Sequence, residues 1–257
     1  MVIERQFPDM EAASFISKHS VALLLPDQPR PGGVRPVGSG SLVTFDLRHF
    51  ILTATHVWAA LQRESTIYYS AIAERSHGAG LHKDSLTPYS LDDNIKVNPK
   101  PFDADVTLLE LHVADCRNMG ARLSFFPLER EEREPISDCV IIGSPGVLAQ
   151  KDPTETNTLS MELRAIFLAE LIEEGERDGL DFLKALPCQD PISPIQDYRG
   201  LSGGGLWSVH YYPENAADKR YEVFLIGVNF YQDDKQIRCL GRKAIKRLVQ
   251  KVRACPL

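Results

Sequence analysis

Short apolar runs, separated by glycine, proline and aspartate, make up most of the hydrophobic pattern of the chain. Runs of this length with turn residues between them are typical of the strands of an all-β barrel or sandwich. The sequence therefore predicts a mainly β protein with few helices. The predicted strands are Val21–Leu25, Gly40–Leu47, Phe50–Val57, Ser65–Ala73, Asp105–Val113, Cys139–Gly146, Gly205–Tyr212 and Tyr221–Tyr231.

Two further segments decide how much helix is expected. Ser160–Glu173 alternates in a way that favours a strand with one apolar face, although its Glu, Leu and Ala residues are good helix formers. We predict a strand there, because the surrounding pattern is β. Gly241–Val252 has apolar residues at helical spacing and is the clearest predicted helix. A solvated outer face explains its lysines and arginines more simply than an anionic partner does.

A charged segment bounded by prolines, Pro127–Pro135, lies near the middle of the chain and has no apolar periodicity. Such a segment is typical of a surface linker. It divides the chain into two β-rich units of comparable size, residues 1–127 and 135–257.

Composition narrows the function classes. The chain has 257 residues, of which 43% are hydrophobic, and its net charge is −6. This charge argues against a broad nucleic-acid surface, which needs clustered lysine and arginine. No apolar run is long enough to span a bilayer, and the first residues lack the apolar region of a secretory signal. We therefore expect a cytoplasmic protein with neither a nucleic-acid nor a membrane partner.

The cysteines and histidines predict no metal or cofactor site. The five cysteines are widely spaced and form no C-x-x-C pair, so neither a zinc site nor a disulfide framework is expected. Their odd number fits a reducing compartment. The closest histidines, His77 and His82, lie in a segment with the composition of a loop.

The sequence GLSGGG at Gly200–Gly205 is the motif that bears on chemistry. Glycine-rich segments are usually turns, but G-x-S-x-G is also the nucleophile elbow of α/β-hydrolases. That elbow requires an acid and then a histidine further along the chain, and the only histidine after Ser202 is His210, in a predicted strand. The alternation of strands and helices of that fold is also missing. A nucleophilic Ser202 therefore needs a base and an orienting acid from upstream.

Four segments, taken together, resemble motifs of the trypsin-like serine proteases. TATH at 53–56 is similar to the T-A-A-H segment of that family, and GSGSLVTF at 38–45 to the strand of small residues before it. DVTLLEL at 105–111 is similar to D-I-A-L-L-K-L, and GLSGGG to the serine loop. A weaker match, LIGVNFY at 225–231, resembles the strand that binds the substrate backbone. The motifs occur in the family's order and span most of the chain, and stand-alone intracellular bacterial peptidases are the nearest match.

The resemblance implies two six-stranded antiparallel β-barrels with a C-terminal helix, and hydrolysis of peptide bonds through an acyl-enzyme intermediate. In the triad that it implies, Ser202 is the nucleophile, His56 is the general base and Asp105 orients the imidazole. The backbone N–H groups of Gly200 and Ser202 would form the oxyanion hole. Asp103 is a rival acid, but the run LLEL follows Asp105 at the family's offset.

Departures from the family pattern bear on specificity and activation. Gln196 and Asp197 would approach the pocket for the residue before the scissile bond, with Tyr231 at its entrance. Position 196 is glutamine where trypsins carry an acid, so cleavage after Lys or Arg is not expected unless Asp197 takes that place. Val57 replaces the cysteine that follows the histidine in secreted trypsins. Leu201 replaces the aspartate used in zymogen activation, so we expect the serine loop to be ordered by its own packing, by substrate or by a protein activator.

A second class of function stays open at this point. A catalytically silent module of the same fold could bind a peptide or a protein partner without hydrolysing it. Degenerate members of the family commonly lose one triad residue, whereas this chain keeps all three candidates. The enzyme hypothesis is therefore favoured.

Overall fold

The computed structural model describes two β-sheets and four α-helices. The described residues are 10–26, 34–71, 79–92, 94, 98–121, 123–130, 138–144, 165–188, 198, 200–211, 221–233 and 236–255. The helices are α1 (Met10–Ser17), α2 (Thr55–Leu61), α3 (Val113–Gly120) and α4 (Arg242–Ala254), with a short 3₁₀ helix at Lys83–Ser85. None of the helices in these ranges is long and apolar enough to cross a membrane.

The first sheet is built from the first half of the chain. Its strands are β1 (Ser20–Pro26), β2 (Val34–Phe45), β3 (Arg48–Thr53), β4 (Thr66–Ala71), β5 (Ala79–His82), β6 (Leu86–Ser90), β7 (Thr107–Leu111) and β8 (Phe126–Pro127). The strand order is β5-β4-β1-β2-β3-β7-β6, and β8 pairs in parallel with the end of β2. The 3₁₀ helix connects the two edge strands, β5 and β6. The sheet is therefore curled like a half-barrel.

The second sheet is a closed antiparallel barrel of six strands. They are β9 (Asp138–Gly143), β10 (Ala165–Arg177), β11 (Leu180–Pro187), β12 (Gly205–Tyr211), β13 (Tyr221–Asp233) and β14 (Gln236–Gly241). Their order around the barrel is β10-β11-β14-β13-β12-β9. Buried apolar residues from both sheets and from α4 form one continuous cluster. The predicted division into units 1–127 and 135–257 consequently stays a prediction.

The predicted mainly β fold with a C-terminal helix is confirmed. β10 confirms the choice of a strand within Ser160–Glu173, and residues 160–164 lie outside the described part of the chain. The first unit differs in detail, because its eight strands form an open, curled sheet where a closed six-stranded barrel was expected.

Helix α2 begins inside a predicted strand, and helix α3 begins at the last residue of another. The predicted strand Phe50–Val57 ends at Thr53, and α2 follows at once. Most of the α2 side chains are buried, so its apolar run shows no helical period and looks like more strand. The predicted strand Asp105–Val113 is β7 alone, and α3 begins where the His112 imidazole accepts the Ala114 N–H at 3.3 Å.

Helix α4 holds the two sheets together. In the second sheet, the Asp181 carboxylate accepts the Lys243 and Ala244 N–H groups at the start of the helix, each at 3.0 Å. In the first sheet, the Lys251 ammonium donates to the Ser90 carbonyl at 2.8 Å, and Arg253 pairs with Asp46 at 2.7 Å. Lys251 and Arg253 thus have partners within the chain, and the exposed positions of Lys243, Lys246 and Arg247 agree with the predicted solvated outer face.

His19 lies between the two sheets and is only 4% exposed. Its Nδ1–H donates to the Ser124 carbonyl at 2.8 Å. Its ring contacts Phe126 and Trp207 at centroid distances of 5.6 and 6.0 Å, so it touches the side of the barrel that carries β12. Burial lowers the pKa of His19 to about 4, and the charge of Lys18 adds to this.

Acid should therefore destabilise the protein through His19. The unfolded chain binds a proton at this residue below its ordinary pKa of about 6.5, whereas the folded chain does not until about pH 4. Stability is lost over this window as the pH falls, by about 2 kcal/mol at pH 5 relative to neutral pH. Urea denaturation at pH 7.5 and pH 5.0 measures the loss. His19→Asn is the control: it should be less stable at pH 7.5 but lose less stability on acidification, and equal losses in the two proteins would contradict the assignment.

Two hairpins have two-residue turns with positive φ at both positions. In the β2–β3 turn, Asp46 and Leu47 have φ of 48° and 60°; in the β10–β11 turn, Asp178 and Gly179 have φ of 55° and 74°. Such turns match the twist of the strands and favour glycine at the second position. Leu47 has no such freedom, and it is also 96% exposed.

Leu47→Gly should raise the free energy of unfolding by about 1 kcal/mol, because glycine has no Cβ to strain in the left-handed region. Urea denaturation checks this value. The matched variant, Gly179→Leu in the other hairpin, should lower the free energy of unfolding by a similar amount. A destabilised Leu47→Gly protein would show that the Leu47 side chain makes a stabilising contact.

Candidate functional site

His56 and Asp105 form a close pair in the first sheet. His56 is the second residue of α2, and Asp105 lies just before β7. One oxygen of the Asp105 carboxylate is 2.6 Å from His56 Nδ1, and the other accepts the His56 backbone N–H at 2.9 Å. Asp105 is 4% exposed, whereas 18% of the His56 side chain is exposed. A buried carboxylate thus fixes the orientation of a partly exposed imidazole.

Strand pairing explains why these residues meet. β3 leads into α2, β7 follows Asp105, and the two strands are antiparallel neighbours with Thr53 opposite Thr107. The Thr55 and Thr107 hydroxyls are 2.9 Å apart, and Thr107 is also bonded to the Ser90 hydroxyl at 2.6 Å. The buried Thr55 and Thr107 hydroxyls fasten the start of α2 to β7.

The rival acid, Asp103, is engaged in its own turn. Its carboxylate accepts the Lys100 N–H at 2.7 Å, and its N–H donates to the Lys100 carbonyl at 3.1 Å. The carboxylate that contacts His56 is therefore that of Asp105.

The serine loop, Gly200–Gly205, is a tight turn on the closed barrel of the second sheet. The Gly204 N–H donates to the Leu201 carbonyl at 2.8 Å, and Gly203 has a φ of +85°. This conformation places Ser202 at the first central position of the turn, before a residue that must tolerate positive φ. The loop also pairs with β13, because the Asn229 carbonyl accepts the Gly203 N–H at 2.6 Å and the Asn229 N–H donates to Gly204 at 2.8 Å.

The same loop contacts the first sheet close to His56. The Ser39 N–H donates to the Ser202 carbonyl at 2.8 Å. A Cβ on Gly203 would collide with the Ser39 carbonyl and the Thr53 hydroxyl, and would lie 3.0 Å from the Ala54 nitrogen. Ala54 caps α2, so Ser202 lies next to the start of the helix that carries His56.

Leu201 anchors the loop to the closed barrel by apolar packing. It is 2% exposed and belongs to a buried cluster with Ile141 and Phe224. It covers Gly143 so closely that a Cβ there would lie 2.6 Å from the Leu201 Cδ2 atom. The loop therefore has its own apolar anchor at Leu201.

The Asn229 side chain is held by a hydrogen bond from a buried thiol. The Cys239 Sγ–H donates to the Asn229 Oδ1 atom at 3.1 Å, and burial raises the pKa of Cys239, which keeps the thiol protonated. All five cysteines are free thiols.

The predicted recognition residues are described only in part. Gln196 and Asp197 lie outside the described residues. Tyr231 is half-buried on β13, just past a bulge in the pairing with β14, and its ring lies 6.4 Å from that of Phe230. Gly200, a predicted oxyanion residue, has a φ of +101°.

The sequence analysis missed several residues that support the site, namely Ser39, Thr55, Thr107 and Asn229. Ser39 lies within the small-residue run GSGS, which was noted only as part of a strand. A run of small residues where two sheets meet is a signal of close backbone approach.

No protein-family model matches this chain, and the search of curated proteins found no match. The described residues contain no group of three or more His, Cys, Asp or Glu side chains that could hold a metal ion. The described part of the site consists of the Asp105 carboxylate, the His56 imidazole and the serine loop.

Gly203→Ala should lower the free energy of unfolding by about 3 kcal/mol or more, because the new methyl group meets backbone on the first sheet and the positive φ is strained. Gly120→Ala is the matched control, since a Cβ there meets nothing within 4 Å. Thermal unfolding of both variants measures the difference. Equal melting temperatures would mean that the loop is not held against the first sheet.

Proposed function

We propose that this protein is a serine endopeptidase that uses His56, Asp105 and Ser202 as its catalytic triad. The observation that carries the proposal is the buried Asp105 carboxylate bonded to His56 Nδ1. The loop that contains Ser202 packs beside this pair, against the residues that precede α2. The two-sheet β architecture is compatible with a chymotrypsin-like fold.

In the proposed reaction, the Ser202 hydroxyl attacks the carbonyl carbon of a peptide bond, and His56 Nε2 accepts its proton. Asp105 keeps the other ring proton on Nδ1 and stabilises the imidazolium that forms. His56 then returns the proton to the leaving amine, which departs and leaves an ester on Ser202. Water, activated by the same imidazole, hydrolyses the ester.

The developing oxyanion needs preorganised N–H donors. The Leu201 carbonyl is bonded to Gly204 within the turn, so the Ser202 N–H of the same trans peptide unit points to the opposite side of the loop. Ser202 is thus one donor, and Gly200 is the proposed second one. Gln196 and Asp197 are proposed to approach the pocket for the residue before the scissile bond, with Tyr231 at its entrance.

Activation by a freed amino terminus is disfavoured in this proposal. In that mechanism a buried ammonium pairs with a carboxylate beside the serine, and here the position holds the buried Leu201. An ammonium without a partner would be costly there. The intact chain is therefore expected to react without N-terminal trimming.

Labelling with a fluorophosphonate probe tests the nucleophile. The wild type should form one adduct, located on Ser202 by mass spectrometry. Ser202→Ala and His56→Ala should form none, because the first lacks the nucleophile and the second the base. Both variants should keep the circular dichroism spectrum of the wild type. A wild type that forms no adduct would favour the silent binding module, and an adduct on Ser202→Ala would refute the triad.

The choice of acid has its own matched pair of variants. Asp105→Asn should slow labelling by as much as about 10⁴-fold, the size of loss expected when a triad histidine is held in the wrong tautomer. Asp103→Asn should label within about threefold of the wild type, because the carboxylate that bonds to His56 is that of Asp105, whereas the Asp103 carboxylate accepts the Lys100 N–H. The reverse result would assign the role to Asp103.

A further inference from the structure

Ser39 is a fully buried serine in β2 that bonds on every side to backbone or to a hydroxyl group. Its hydroxyl donates to the Gly200 carbonyl at 2.7 Å and accepts the Ser144 N–H at 2.8 Å. Its backbone N–H donates to the Ser202 carbonyl at 2.8 Å. Its carbonyl accepts the Thr53 hydroxyl at 2.7 Å.

These bonds join three parts of the candidate site. Gly200 and Ser202 belong to the serine loop, and Ser144 directly follows β9 beneath it. Thr53 is the last residue of β3, three positions before His56. Ser39 therefore connects the serine loop both to its own barrel and to the strand that leads to His56.

Ser39 also completes the fixing of the backbone around Ser202. The peptide unit between Gly200 and Leu201 bonds to the Ser39 hydroxyl through its carbonyl and to Tyr198 through its N–H. The next unit bonds to Gly204. The unit after Ser202 bonds to the Ser39 N–H and, through the Gly203 N–H, to Asn229. Three consecutive peptide units are thus held, and Ser39 holds the two outer ones.

We propose that Ser39 is the positioning residue for Ser202: its hydroxyl holds the serine loop in the one conformation that presents the Ser202 Oγ and N–H to a substrate. The proposal rests on the proposed peptidase function and adds a residue that touches no substrate. Without the hydroxyl, the half-buried Gly200 carbonyl and the buried Ser144 N–H lose their partner, so movement of the loop is favoured until each group finds another.

The chain supplies a matched control in Ser41. Ser41 lies two residues further along β2, is also fully buried, and its hydroxyl has no hydrogen-bond partner among the described residues. Ser39→Ala and Ser41→Ala each delete one buried hydroxyl from the same strand. Only the first deletion removes bonds to the serine loop and to Ser144.

The experiment compares the wild type, Ser39→Ala and Ser41→Ala by two measurements at a temperature where all are folded. Saturation kinetics with the fluorophosphonate probe should show a limiting labelling rate about 10- to 30-fold lower in Ser39→Ala, at an unchanged half-saturating concentration. Amide hydrogen exchange at Gly203 and Gly204 should be at least about tenfold faster in that variant. Ser41→Ala should match the wild type in both measurements within about threefold.

The second measurement separates this proposal from the peptidase proposal. Suppose that the wild type is labelled and that Ser39→Ala has the same limiting rate and the same exchange rates as the wild type. This result would overturn the proposed role of Ser39 and leave the peptidase proposal intact. A wild type that takes no adduct would overturn the peptidase proposal, and the exchange rates would then decide whether Ser39 orders the loop. If Ser39→Ala does not fold, Ser39→Cys replaces it, because a thiol fills the site as a weaker donor and acceptor and should give a smaller change in the same direction.

Discussion

The bonding of the Asp105 carboxylate is the constraint on which the candidate site depends. A carboxylate that is 4% exposed is tolerated only when its oxygens are hydrogen-bonded, and both of these oxygens bond to His56. The first bond, to the backbone, fixes where α2 starts; the second, to the ring, fixes how the imidazole turns. The pairing of β3 with β7 and the hydrogen bond between the Thr55 and Thr107 hydroxyls hold α2 and Asp105 in the same alignment.

The second requirement is that the two sheets stay in contact. β1 and β2 of the first sheet lie against β9 of the second, and His19 fills the space between them with an uncharged ring. The serine loop packs on the closed barrel through Leu201 and is hydrogen-bonded to the first sheet through Ser39. Its position is therefore a property of the interface between the sheets and of neither sheet alone.

The sequence predicted most strands and α4 because their apolar residues follow the strand period or the helix period. It did not predict α2, whose buried residues lie on several sides of a short helix, or the open edge of the first sheet, which depends on pairings between distant residues. At the site, the motifs indicated His56, Asp105 and Ser202 as candidates, and their roles stay predictions. The small-residue run around Ser39 signalled close backbone approach, but neither Ser39 nor Thr107 gave a signal of its bonding, since a buried serine or threonine in a strand gives the same pattern whether or not its hydroxyl is bonded.

Helix α4 has a consequence for how the molecule is assembled. Its Arg253 bonds to Asp46, 207 residues earlier in the chain, and its first residues are capped by Asp181 of the other sheet. Contacts of such long range close large loops at a cost in chain entropy, and they are associated with slower folding. During synthesis the brace between the sheets can form only after both sheets have been made. Until α4 has been made, contact between the serine loop and the first sheet depends on Ser39 and the other residues of the interface between the sheets.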